Sequence, residues 1–155
     1  MPKMFLHAPT GVFTAETRKR VAAELTDLGM ACERLADSPT IRSGVWVVFV
    51  EHDLDAFFSG GEVASRPIIA LLINAIKGGL DDPGRKRLIE EGTAILGKHA
   101  AIGAGKVPAY VAVQEISEIN WGMYGNQVDL SAMRAPATAK QPWMAHRSKL
   151  GEPKT

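Results

Sequence analysis

The sequence predicts an α+β fold in which a β-α-β unit occurs twice, giving a four-stranded sheet with two helices on one face. Three observations carry this prediction. His7-Ala8-Pro9-Thr10-Gly11 is echoed by Asn74-Ala75-Ile76-Lys77-Gly78, and each segment is followed at the same distance by Arg-Lys-Arg and an aliphatic residue, Arg18 to Val21 and Arg85 to Leu88. Each of these is followed by a stripe at helical spacing. Each stripe in turn is followed by a run of β-branched and aromatic residues.

Residues 2–7 and 67–74 are the matching first strands. The second is almost continuously apolar, as in a strand covered on both faces. Val21, Leu25, Leu28, Cys32 and Leu35 then fall on one helical face, with Thr14 as a suitable cap. Leu88, Gly92, Ile95, His99 and Ile102 repeat that spacing, and Asp81 or Asp82 followed by Pro83 suits a helix start. The closing strands are residues 45–51 and 109–115. Two right-handed crossovers would bring both helices to the same side. Phe57-Phe58-Ser59-Gly60-Gly61 and Trp121-Gly122-Met123-Tyr124-Gly125 occupy equivalent places after them and read as short turns or hairpins.

With 155 residues, 46% of them apolar, the chain suits one domain better than two. The expected domain spans 1–128, with repeats at 2–61 and 67–125. Residues 129–155, rich in proline and charge, read as an irregular arm. Eighteen basic against seventeen acidic side chains leave a net charge of +1, which provides no broad field for nucleic acid or an anionic membrane. Cys32 has no intrachain partner, no leader pattern opens the chain, and no apolar run reaches about 20 residues. A cytoplasmic protein without nucleic-acid or membrane partners is expected.

Pro2 behind the first methionine, the β-α-β duplication and strand endings that run from Glu51 to Phe57 and from Glu115 to Trp121, each leading into glycine, together resemble the tautomerase superfamily. The resemblance covers most of residues 2–125. Val111 to Gly122 is especially similar to the end of a 4-oxalocrotonate tautomerase subunit. It implies a long, fused two-unit member that assembles as a homotrimer and acts on a small carbonyl substrate without a cofactor.

In that family the amino-terminal proline is the base. Removal of Met1 would leave Pro2 a secondary amine, whereas retention makes the same nitrogen a non-basic amide. A free amine can take a proton from carbon beside a carbonyl when burial or nearby cations lower its pKa. The alternative is a proline that begins an edge strand, where its missing N–H costs little.

The family's usual arginines are absent. Their positions fall at Phe13 and Leu80 before the helices, and at Trp46 and Tyr110 on the strands. Tyr110 is therefore the candidate to polarise the carbonyl oxygen, the alternative being an interface aromatic. Lys77 is the candidate to bind an anionic end. Trp46, Phe57 and Trp121 are candidate walls of the pocket.

The cis-3-chloroacrylic acid dehalogenases carry a water-activating carboxylate where this chain has Met123, and a helical histidine where it has Gly29. The expected activity is thus a keto-enol isomerase. Alternatives are a hydratase, dehalogenase or malonate semialdehyde-type decarboxylase of the same superfamily, or a non-catalytic binding protein.

The four histidines, His7, His52, His99 and His146, show no metal-ligand spacing, so no metal is expected. Gly103-Ala104-Gly105-Lys106 follows a helix instead of opening one and reads as a helix stop, not a phosphate loop. The two Arg-Lys-Arg clusters read as solvated helix starts.

Overall fold

The computed structural model describes residues 1–136. Its first unit is strand β1 (Lys3–Pro9), helix α1 (Ala15–Glu33), a short helix α2 (Pro39–Ser43) and strand β2 (Trp46–His52). A 3-10 turn at Leu54–Ala56 and a hairpin of β3 (Phe58–Ser59) with β4 (Glu62–Val63) follow. The second unit repeats this order with β5 (Ile69–Ile76), α3 (Asp82–His99), β6 (Ala109–Ile116), a turn at Glu118–Asn120, and a hairpin of β7 (Gly122–Met123) with β8 (Asn126–Gln127). A last helix, α4, spans Leu130–Arg134.

Both helix starts are capped by side chains. Thr17 N–H donates to Thr14 Oγ1 at 3.1 Å, and Gly84 N–H donates to Asp81 Oδ1 at 2.8 Å, which selects Asp81 over Asp82 as the cap. Helix α1 stops where Arg34 takes a left-handed backbone, φ 54°, and its N–H folds back on Ala31 and Met30 carbonyls.

The sheet runs in the order β2-β1-β5-β6. Each unit supplies a parallel pair, β1 with β2 and β5 with β6, and the two units meet antiparallel through β1 and β5. Alternation sorts the faces. Met4, Leu6, Ile69, Leu71 and Ile73 point to the helices and form one core with Val21, Leu25, Leu28, Leu88 and Leu96. At roughly 1.5–3 kcal/mol for each large apolar side chain taken from water, this layer supplies the main drive to fold.

The duplication extends to side chains. Arg18 on α1 meets Glu51 at the end of β2, and Arg85 on α3 meets Glu115 at the end of β6, each pair at 2.6 Å. The first arginine of each Arg-Lys-Arg cluster therefore ties a helix start to a strand end and is more than a solvated charge.

Three expectations are corrected. Strand β5 is covered on one face only within the chain; Leu72, on its other face, is 37% exposed. The second helix ends at His99, so Ile102 packs on the core from outside it. The segment from residue 129 is not irregular throughout: Asp129 caps α4, which buries Met133. The remainder of that arm, with His146, lies outside the described residues.

Candidate active site

Met1 and Pro2, at the head of β1, are both buried. Trp46 N–H donates to the Pro2 carbonyl at 3.3 Å, continuing the β1–β2 ladder to the edge of the sheet. The Pro2 ring lies against Gly29 of α1, where a Cβ would come within 2.7 Å of the ring's Cγ. A glycine in mid-helix thus makes the seat for Pro2.

Met1 is 1% exposed and packs with Met30, Ile41, Val45, Trp121, Met123 and Met133 in a second, smaller core. Its α-amine donates to Glu33 Oε2 at 2.9 Å and lies 3.6 Å from Met133 Sδ. Burial pushes that amine below its ordinary pKa, and Glu33 opposes the shift.

Glu33 is wholly buried, and its Oε1 accepts the Ile76 N–H at 3.3 Å. It is the last residue of α1, where the helix dipole disfavours an anion and where no basic side chain occupies the last turn. Arg134 closes the arrangement, donating to the Glu33 carbonyl at 3.0 Å and to the Gly79 carbonyl at 2.8 Å.

Lys3 stands beside this pocket. Its ammonium donates to the Gly44 carbonyl, lies 3.4 Å from Met123 Sδ and sits 4.4 Å above the Trp46 ring. Burial lowers its pKa from 10.5 to about 8, against the pull of Glu33. On the open side it borders a cleft of about 270 Å³ lined by Phe5, Trp46, Asn74, Ile116, Asn120, Trp121 and Gly122.

Of the residues singled out from sequence, Trp46 and Trp121 line this cleft, and Pro2 is joined to Trp46 through the backbone. Lys77 is exposed in the turn after β5, at the same end of the sheet, and its N–H donates to the Ile116 carbonyl. Tyr110 and Phe57 stand elsewhere. The register aligns Lys3 with Asn74 and Gln114, whereas Tyr110 aligns with Ala70 and His7, four residues or about 13 Å along the strands.

Phe57 meets His52 edge-on at 5.6 Å between ring centroids, and His52 stacks on His7 with Nε2 2.9 Å from Nδ1. This far end is the second unit's counterpart of the Pro2 end. Tyr110 matches Trp46 in register, and the buried Ile69 takes the place of Pro2.

Sequence reasoning missed Glu33, Lys3 and Arg134. Glu33 left one trace, an acidic residue closing a helix whose last turn suits cations. Among the described residues no group of three His, Cys, Asp or Glu side chains could hold a metal ion, and no helix is long and apolar enough to cross a membrane.

No protein-family model matches the chain, and no curated protein is significantly similar to it in sequence. Solved structures match it in fold. Pt0534 inactivated by 2-oxo-3-pentynoate superposes with a TM-score of 0.66 at 19% identity, over 84% of this chain and 98% of that one. N1, a member of the cis-3-chloroacrylic acid dehalogenase family, gives 0.65 at 21% identity, over 97% and 92%. A symmetric trimer of a fused 4-OT gives 0.65 at 16% identity, over 83% and 96%. With its duplicated β-α-β units, mixed four-stranded sheet and paired helices, the chain has the fold of the tautomerase superfamily.

Proposed function

We propose that this chain is a cofactor-independent isomerase whose base is the secondary amine of Pro2, exposed when Met1 is removed as the initiator. The observation that carries the reading is the burial of the chain's amino terminus at the head of a central strand, with Pro2 seated on Gly29 and an acid within hydrogen-bond reach of the terminal amine. Chain termini usually lie at the surface. Here an ionisable terminus is held in a mostly apolar enclosure, and such an enclosure favours the uncharged, basic form of an amine.

A small enolisable carbonyl compound or keto acid enters beside Trp46 and Trp121. Pro2 takes a proton from the carbon next to the carbonyl and returns it elsewhere on the same molecule, the work of a general base. Lys77, at the same end of the sheet, attracts an anionic group.

Tyr110 is too far from Pro2 in one chain to touch the same substrate. It is 60% exposed on the open face of the sheet with Trp46, Val48 and Leu72, so it serves a site only from a neighbouring copy. That exposed apolar face favours a homotrimer, as does the trimeric form of the fused 4-OT neighbours. Phe57 belongs to the opposite end and lines a pocket with Pro2 only across such an interface.

A test follows from the reagent that inactivated Pt0534. The Pro2 nitrogen would add to the alkyne of 2-oxo-3-pentynoate, forming an N–C bond while a proton moves to the adjacent carbon, so the whole reagent mass is gained. Intact mass should show a chain without Met1 and one adduct, mapped to Pro2. A chain that retains Met1, or an adduct on lysine alone, defeats the proposal.

A further inference from the structure

We infer that Glu33 is a second proton-transfer group of the amino-terminal site, facing Pro2 across the space that Met1 fills, and that the site takes a compact carbonyl compound whose oxygens lie toward Lys3. This rests on the reading of Pro2 as the base.

Glu33 breaks the rules that govern its position. It is 0% exposed, it ends a helix, and burying a carboxylate is costly unless each oxygen is bonded. One oxygen has the Ile76 N–H; the other has the Met1 amine. Loss of Met1 takes that amine away and leaves Oε2 facing the vacated volume. A local arrangement this unfavourable to stability marks a functional position.

The geometry fits a shared substrate. The Pro2 nitrogen is one residue beyond the bonded amine, so it stands within about 7 Å of Oε2, the 2.9 Å bond plus at most one residue step of about 3.8 Å. A carbonyl group and its neighbouring carbon fit between two groups so spaced. The vacated space has the size of a methionine side chain: a Cβ on Gly44 would lie 2.0 Å from Met1 Sδ, and Ile41, Met30 and Met133 close the other sides. Those walls are apolar, and Lys3 brings a cation to the margin. A dianion or a bulky substrate is poorly served; a short 2-keto acid fits.

The step balances within the site. The step needs Pro2 as the free amine and Glu33 as the proton donor. Pro2 removes the proton from the carbon beside the carbonyl, the C–H pair becomes the new C=C bond, and the carbonyl π pair moves to oxygen. Glu33 gives its proton to that oxygen. The product is the enol, with the substrate's own carboxylate unchanged, between a Pro2 ammonium and a Glu33 carboxylate. Return of the Pro2 proton to carbon and of the enol proton to Glu33 restores both groups.

The test compares the processed wild type with Glu33→Gln, Glu33→Asp and Pro2→Ala. Two readouts are used: the pH dependence of labelling by 2-oxo-3-pentynoate, and deuterium exchange at C3 of 2-oxobutanoate followed by proton NMR. Glu33→Gln should slow exchange by about 10²-fold or more with KM little changed, the scale of a lost general acid. Its labelling midpoint should fall by about one pH unit, because the carboxylate that favours the ammonium is gone. Glu33→Asp keeps the charge but draws it back, and should exchange at least about tenfold more slowly; it carries the comparison if Glu33→Gln does not fold. Wild-type exchange with an unmoved labelling midpoint in either variant overturns the role of Glu33. A labelled wild type that exchanges no deuterium overturns the substrate class. Wild type left unlabelled at Pro2 overturns the underlying reading instead.

Discussion

Gly29→Ala sets two structural terms against each other. In a helix interior alanine is favoured over glycine by about 1 kcal/mol, so propensity alone predicts a more stable protein. The new Cβ, however, would lie 2.7 Å from Pro2 Cγ and 2.7 Å from Met4 Cε, where ordinary contacts begin at 3.4 Å. Met4 can swing its terminal methyl aside. The proline ring can give only by re-puckering at Cγ or by moving with its backbone, so Pro2 itself must make up the roughly 0.7 Å between those contacts. Overpacking of this kind costs about 1–3 kcal/mol, which cancels or outweighs the helix gain. A misplacement approaching 1 Å at a reacting atom costs up to about 10²-fold in rate. Urea unfolding should therefore show no stabilisation, and labelling of Pro2 should slow by at least tenfold. A variant about 1 kcal/mol more stable than wild type and labelled at the same rate would refute the seat that Gly29 provides.

Other expectations concern the core, the open face and the buried ammonium. Leu71→Ala, at a fully buried position in the middle of β5, should cost about 2–5 kcal/mol in urea unfolding; a loss under 1 kcal/mol would contradict the packing described. Leu72→Glu, one residue on and on the exposed face, should leave each chain folded but reduce a trimer to monomers by analytical ultracentrifugation, and a persistent trimer would place the interface elsewhere.

In the chain prepared with Met1 retained, burial holds Lys3 near 8 while the unfolded value is 10.5. Between those values the unfolded state binds more protons, so stability rises with pH through that window, at about 1.4 kcal/mol for each pH unit and by up to about 3 kcal/mol in all. Lys3→Met should remove that rise. Parallel pH dependence in the two proteins would show Lys3 to be solvated.

What was legible in the sequence is what local pattern encodes. The stripe from Val21 through Cys32, though not Leu35 beyond the helix end, and the capping side chain of Thr14 act within one element and form as their spacing implies. The repeated Arg-Lys-Arg clusters were visible too, though only the fold reveals that Arg18 and Arg85 reach across to Glu51 and Glu115. Helix α2 was overlooked because five residues are too few for a period, although Ser38 before Pro39 is a capping signal.

The site was harder to read because its groups are far apart in sequence. Glu33 meets the terminal amine across 32 positions, and Arg134 meets Glu33 across 101. No spacing rule joins such partners. Tyr110 could be assigned to an open face by alternation, but which end of the sheet it occupies depends on the antiparallel junction of β1 with β5. That junction sets it level with His7 and away from Pro2.

The state and reactivity of the amino terminus test the central claim most directly. Intact mass and peptide mapping of the purified chain, before and after 2-oxo-3-pentynoate, should show a chain beginning at Pro2 that gains one reagent mass there, and Pro2→Ala should lose both the rapid labelling and the deuterium exchange. A chain that keeps Met1 and still exchanges deuterium would contradict an amino-terminal proline as the base.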